Sequence, residues 1–270
     1  MDRTIIGGSG YPDQLYVQLL KSLDLGTPDL DIDTVAGAEL LYHQQNATSG
    51  WTDTADYEVI TVTERADTYP FAMYNTYTGW INTFRNERQT SMDTWFSRSQ
   101  TVGNGGAGCD FFYHTCWPGK EDYSGVGDTQ DITPTSWRQK IGLDETEQLA
   151  IAERAEDNVA GDAKIWIIPG TRLMMQLYDD AEAGDMPDIT DAADFMEDGN
   201  RWWADDIHQG PIMAMAYAYL FLYVIHGIDP RGLAYTGFDM PLEPTAAEAS
   251  YIQNTVYNLV QSYPRAGVVA

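Results

Sequence analysis

One serine in the chain has the sequence surroundings of a nucleophile. Residues 5–11 read Ile-Ile-Gly-Gly-Ser-Gly-Tyr, so an apolar stretch leads directly into glycines on both sides of Ser9. A serine at a sharp turn between a strand and a helix has an exposed hydroxyl and an amide that can point at an anion. Ser9 is therefore the candidate nucleophile.

Such a serine needs a base, and His208 is the histidine whose surroundings suit that task. Histidine has the unperturbed pKa that allows proton transfer at neutral pH. Of the four histidines, only His208 has an aspartate three residues before it, Asp205. A carboxylate at that spacing can bind the imidazole Nδ1 and leave Nε2 for the serine. The spacing predicts a triad of Ser9, His208 and Asp205, with Asp206 as an alternative acid. We expect the other histidines to be structural: His43, His114 and His226.

The apolar periodicity predicts the elements that must position these residues. Strands are expected near residues 4–6, 31–36, 57–63, 109–117 and 164–168, and helices near residues 12–23, 39–45, 144–158, 171–181 and 212–225. Alternating strands and helices predict an α/β fold, a doubly wound, flavodoxin-like sheet of about five parallel strands with helices on both faces. We expect one domain over residues 1–270, with long surface loops around residues 65–108 and 118–140.

The predicted fold nominates further site residues. In doubly wound sheets, ligands bind beyond the carboxyl ends of the strands. The positions that follow the predicted strands are Ser9, Gly37, Glu64, Trp117 and the segment after Gly170.

The charge balance limits the partners of the chain. Fifteen basic and 41 acidic residues give a formal net charge of −26 and a pI near 4.1. Nucleic acid is excluded because phosphate binding needs clustered Lys and Arg. The acidic residues are spread along the chain, which favours a solubility adaptation, for instance to salt. No apolar run is long enough for a membrane span. The N-terminus shows no basic region followed by an apolar segment, so we expect a secretion signal to be absent or already removed. Whether the protein is cytoplasmic, or secreted with a signal removed, is left open.

Neither a metal nor another cofactor is predicted. A phosphate-binding loop would need a lysine after the glycines, and residues 11–13 (Tyr-Pro-Asp) supply none. Cys109 and Cys116 lie seven residues apart with no second pair, unlike a zinc site. Whether these cysteines form a disulfide is left open. Eight tryptophans and 17 tyrosines favour a carbohydrate or another flat-faced substrate.

These motifs resemble those of the SGNH (GDSL-like) hydrolases. Residues 7–9 (Gly-Gly-Ser) stand where that family has its first block, and Gly37 follows the second predicted strand. Asp205-x-x-His208, followed by Gly210 and an apolar helix, resembles the final block. The resemblance implies Ser9 as nucleophile, His208 as base and Asp205 as its orienting acid. It also implies an oxyanion hole formed by the amides of Ser9 and Gly37.

One position departs from the family pattern. Family members usually have an asparagine after the third strand, whereas this chain has Glu64. An ionised glutamate cannot donate a hydrogen bond to an oxyanion. Asn75 is an alternative donor, and loss of one such donor costs about a hundredfold or more in rate.

The sequence therefore predicts a serine esterase that acts on a small-molecule or carbohydrate ester. The preferred substrate is a carbohydrate O-acetyl group, cleaved by the Ser9–His208–Asp205 triad through an acyl-enzyme. The alternative is a catalytically decayed binding or structural protein on the same fold, with Glu64 as a sign of the decay. The oligomeric state is left open.

Overall fold

The computed structural model describes residues 3–5, 11–25, 29–31, 40–63, 77–120, 137–159, 161–205 and 208–267. The strands in these ranges are β1 (Arg3–Ile5), β2 (Asp29–Asp31), β3 (Val59–Thr63), β4 (Asp110–His114) and β5 (Ile165–Ile168). The helices are α1 (Tyr11–Ser22), α2 (Leu40–Gln45), α3 (Ser49–Thr52), α4 (Tyr77–Thr101), α5 (Gly103–Gly106), α6 (Trp137–Asn158), α7 (Gly170–Ala183), α8 (Ala192–Phe195), α9 (Pro211–His226) and α10 (Ala246–Ser262). Short 3-10 turns cover Thr54–Asp56 and Pro264–Ala266.

The strands form one sheet in the order β2-β1-β3-β4-β5. The pairs β1–β2, β1–β3 and β3–β4 are parallel, and the last of these ends with Thr63 opposite His114. Successive residues of β4 are buried although they point to opposite faces of the sheet, as with Phe111, Phe112 and Tyr113. Strands with this near-continuous apolar pattern are typical of parallel sheets covered on both faces. The predicted α/β class, with a parallel sheet and helices, is confirmed.

The chain divides into two compact units, and the division falls within β5. The first unit comprises residues 1–8 and 29–166. In it, α4 packs on α6 and on α2. The stripe of α4 that enters the core contains Met92, Trp95 and Phe96, which are buried.

The second unit comprises residues 9–28 and 167–270 and is built around α9. All residues of α9 from Ile212 to Val224 are buried, as expected for a helix that is apolar on every side. Helices α1 and α10 pack on α9, and α10 also packs on α7. Helix α9 has Pro211 in its first turn and ends at Gly227, whose positive φ of 67° favours glycine.

Several predicted boundaries are wrong. Residues 65–108 were expected to form a surface loop, but α4 occupies Tyr77–Thr101. In residues 86–101, where its side chains are described, three of the six buried positions are polar (Arg88, Ser91 and Ser99), so its apolar period is weak in the sequence. The second expected loop, residues 118–140, ends early because α6 begins at Trp137. Helix α10 was not predicted. Within the described ranges, no helix has the length and apolar character needed to cross a membrane.

Candidate active site

A tight hairpin immediately before α9 holds the candidate base and acid. Trp203 and Gln209 form an antiparallel bridge. One step nearer the tip, the Ala204 amide donates to the carbonyl oxygen of His208 over 2.9 Å. Asp205 and His208 therefore lie at the tip of this hairpin, which we call the 202–210 hairpin. The hairpin places residues 205 and 208 on opposite sides of its turn, which explains why side chains three residues apart are in contact.

Gly210 closes the base of the hairpin, and the space there admits no side chain. Its amide donates to the carbonyl of Trp202 over 2.7 Å. A Cβ at Gly210 would lie 2.6 Å from the carbonyl oxygen of Arg201 and 2.7 Å from the carbonyl carbon of Trp202. Backbone atoms cannot yield as a flexible side chain can. Glycine is required here by close approach, since its φ of −75° is open to any residue.

The Asp205 carboxylate holds His208 at two points. Its Oδ2 lies 2.7 Å from the ring Nδ1, and its Oδ1 accepts a hydrogen bond from the His208 main-chain amide over 2.7 Å. An ionised carboxylate can only accept, so Nδ1 carries the proton in this contact. In the neutral ring, Nε2 is then the acceptor. This is the tautomer that a base needs in order to take a proton from a serine hydroxyl.

The pair is exposed to solvent. The side chains of His208 and Asp205 are 58% and 48% accessible. Exposed ion pairs contribute only about 0–1 kcal/mol to stability. The contact therefore adds little to the stability of the fold, and its two hydrogen bonds fix the orientation of the imidazole.

The base of the hairpin is buried and hydrogen-bonded, in contrast to its tip. Asn200 Oδ1 accepts from the amides of Trp202 and Trp203 over 2.6 and 2.7 Å, and its Nδ2 donates to the carbonyls of Asp194 and Phe195. Both tryptophan rings are buried and make edge contacts with Phe195. The single Asn200 side chain thus fixes the entry into the hairpin.

An ion pair joins the hairpin entry to α10. Arg201 Nη2 lies 2.9 Å from Glu248 Oε2 and also donates to the Glu243 carbonyl over 2.7 Å. Glu248 is fully buried and completes a capping box with Thr245 at the start of α10. Neither this pair nor the role of Asn200 is apparent from the sequence. Arg201 and Glu248 are 47 residues apart in the chain, and no pattern relates them, although Thr-x-x-Glu before a helix is itself a recognisable signal.

The other predicted site residues lie outside the described ranges: Ser9, Gly37, Glu64, Asn75 and Asp206. Ser9 belongs to the segment between the end of β1 and the start of α1, and Glu64 follows the last residue of β3. Of the predicted triad and oxyanion residues, the structure thus brings together Asp205 and His208. Their catalytic role stays a prediction.

Two other histidines have structural surroundings. His114 ends β4, is buried, and has Nδ1 3.1 Å from Thr63 Oγ1. Burial lowers the pKa of His114 to about 3, so the ring is neutral at physiological pH. His226 ends α9, with Nε2 2.6 Å from the Tyr16 hydroxyl. The side chain of His43 lies outside the described part of the chain.

The cysteines do not form a disulfide with each other. Cys109 is buried, and burial raises the pKa of its thiol to about 12, so it is an unreactive core residue. In the described ranges, no three side chains of His, Cys, Asp or Glu are grouped as a metal site requires.

Comparison with known proteins supports the fold. No family model matches the chain, and no curated protein matches it significantly. A crystal structure of a DUF4886 family protein from Bacteroides uniformis ATCC 8492 is 14% identical, with a TM-score of 0.54 over 97% of this chain and 95% of that chain. A protein provisionally assigned as a GDSL-like lipase, from Parabacteroides merdae ATCC 43184, is 11% identical, with a TM-score of 0.50 over 82% and 94% of the two chains. At these identities the likeness shows a shared fold alone.

Proposed function

We propose that this protein is a serine esterase of the SGNH type, with a doubly wound, flavodoxin-like fold and Ser9, His208 and Asp205 as its catalytic triad. The observation that carries the proposal is the contact of Asp205 with both Nδ1 and the main-chain amide of His208. The sheet order β2-β1-β3-β4-β5 is the flavodoxin-like order. Similarity in fold to a provisionally assigned GDSL-like lipase agrees with this reading.

The mechanism assigns one step to each residue. His208 Nε2 takes the proton of Ser9 as its Oγ attacks the ester carbonyl, and Asp205 stabilises the imidazolium through Nδ1. The amides of Ser9 and Gly37 stabilise the oxyanion, with Asn75 as a further donor in place of the family asparagine. The imidazolium then protonates the leaving alcohol. Water, activated by His208, hydrolyses the acyl-enzyme and releases the acid.

The proposed substrate is an acetyl group on a carbohydrate. A lipase needs an apolar surface at which it meets lipid, whereas Leu25 and Leu242 are the exposed large apolar residues in the described part of the chain. The net charge of −26 also disfavours anionic substrates and anionic lipid surfaces. A neutral, polar molecule that bears the acetyl group, such as a carbohydrate, fits both observations.

Hydrolysis of a small acetyl ester by the wild type and by Ser9→Ala tests the proposal. We expect turnover by the wild type and loss of it in the variant. Equal rates would refute the assignment of Ser9. A fluorophosphonate probe tests the alternative of a decayed site, because it labels a serine only where a base activates it. Labelling that is abolished by His208→Ala is expected.

A further inference from the structure

A pocket lies beside the 202–210 hairpin, within the second unit. Its volume is about 520 Å³, in the usual range of small-molecule sites. Ala204 and Gln209 form part of its wall. These residues stand directly before Asp205 and directly after His208 in the chain. A ligand in this pocket would therefore lie against the same hairpin that presents the proposed base and acid.

Two buried polar atoms belong to residues that line this pocket. Arg201 and Glu248 are both in its wall and pair through Nη2 and Oε2. Arg201 Nε and Glu248 Oε1 are also buried, but neither has a hydrogen-bond partner among the described residues. A buried donor or acceptor without a partner destabilises the fold. A bound molecule that satisfies both atoms would offset this cost.

The two atoms specify the chemistry of that molecule. Arg201 Nε is a donor and the carboxylate oxygen Glu248 Oε1 is an acceptor. A hydroxyl group satisfies both, because it accepts and donates at the same oxygen. An anion is disfavoured since the charge of Arg201 is already balanced by Glu248, while Asp188 and Asp194 add negative charge to the wall.

The remaining wall is suited to the carbon face of a sugar ring. Ile189, Pro211, Pro241 and Leu242 supply apolar surface around the polar pair. Leu242 is 42% exposed, a level unusual for a leucine in the described part of the chain. A pyranose or furanose ring has C–H groups on its faces and hydroxyls at its edge. Its hydroxyls suit the polar pair, and its faces suit the apolar wall.

We propose that this pocket is a subsite for a neutral sugar residue, with Glu248 and Arg201 as its hydroxyl-binding pair. Sugar binding itself needs no catalysis. The further role, orienting the carbohydrate whose ester is cleaved at the neighbouring His208, rests on the proposed function. The pocket then selects neutral saccharide esters over acidic ones.

Equilibrium binding of neutral disaccharides tests the subsite. Xylobiose, cellobiose, mannobiose and chitobiose are titrated at millimolar concentrations into wild type and Ser9→Ala by calorimetry and by saturation-transfer NMR. We expect at least one to bind both proteins equally. Glu248→Gln should weaken that binding about tenfold. In this variant the side-chain oxygen stays bound to the main-chain amide of Thr245, and an NH2 group takes the place of Oε1. The sugar hydroxyl then has no acceptor at that position.

Two control variants separate binding from folding. Thr245→Ala removes the other half of the capping box but no part of the pocket wall, so it should keep full affinity. Leu242→Ala removes exposed apolar surface without a core defect and should weaken binding severalfold. The subsite is refuted if no disaccharide binds, if Glu248→Gln binds as the wild type does, or if Thr245→Ala loses as much affinity as Glu248→Gln.

The outcomes also separate this inference from the proposed function. Hydrolysis of a small acetyl ester without saccharide binding would overturn the subsite and keep the esterase. Saccharide binding that depends on Glu248, without ester hydrolysis or fluorophosphonate labelling, would support the subsite and overturn the esterase.

Discussion

Replacing Asp205 by asparagine is expected to abolish turnover while leaving the fold intact. In the native protein, two donors reach the two carboxylate oxygens: the His208 amide at Oδ1 and Nδ1 at Oδ2. Asparagine has one oxygen and one NH2 group, so it can accept only one of these hydrogen bonds in the same geometry. If the oxygen remains on the amide, the NH2 group faces Nδ1 and donates to it. The proton must then move to Nε2, where it blocks acceptance from Ser9.

The expected loss of kcat follows from the change of tautomer. The corresponding change in serine proteases lowers kcat about 10⁴-fold, which is roughly 5 kcal/mol of lost transition-state stabilisation. The cost in stability is far smaller. Because both side chains are about half exposed, the pair contributes at most about 1 kcal/mol. We therefore expect the midpoint of thermal unfolding to move by no more than a few degrees.

The assay is hydrolysis of a chromogenic acetyl ester, with Asp206→Asn as the matched control. Asp206 is the adjacent aspartate, so the two variants carry the same change of charge. Asp206→Asn should keep wild-type activity within a few fold. The reasoning is refuted if Asp205→Asn retains activity within tenfold of wild type, or if Asp206→Asn is the variant that loses it.

Three further predictions concern Gly210, the buried His114 and the net charge of the chain. Gly210→Ala should destabilise the protein by about 1–3 kcal/mol and lower kcat, because its Cβ meets the Arg201 carbonyl; wild-type denaturant stability would contradict this. Burial lowers the pKa of His114 to about 3, below about 6.5 in the unfolded chain. The unfolded state then binds more protons between these values. The contribution of His114 to the free energy of unfolding should be complete above pH 6.5 and should be lost toward pH 3, by on the order of 5 kcal/mol at most. His114→Gln should therefore have a flatter dependence of stability on pH than the wild type. Raising salt to about 1 M shortens the Debye length to about 3 Å and should raise the unfolding midpoint, because a net charge of −26 repels itself; an unchanged midpoint would count against salt adaptation.

The sequence predicts the features that depend on residues close together in the chain. Strands β3, β4 and β5 were found because β-branched and aromatic runs have a strong local signature. The contact of Asp205 with His208 was also predictable, since a spacing of three residues on a turn brings the side chains together. Helix α9 was found because it is apolar on every side.

The sequence was uninformative where a residue acts through distant partners. Half of the buried positions described in α4 are polar, so the sequence predicts a loop where a 25-residue helix stands. Arg201 and Glu248, which pair between a hairpin and a helix, are 47 residues apart. No periodicity in the sequence predicts this pair. The need for glycine at position 210 arises from the folded-back chain of Arg201 and Trp202, and it is invisible before the hairpin is known.

The contrast between the tip and base of the 202–210 hairpin explains how an exposed pair, proposed here as base and acid, can be positioned accurately. The tip is solvated, so the contact of Asp205 with His208 contributes little to stability. The base is held by Asn200 through four hydrogen bonds and by a buried glutamate at α10. Functional groups need support from rigid neighbours to hold their geometry. Variants at the base should therefore alter both stability and turnover, whereas variants at the tip should alter turnover alone.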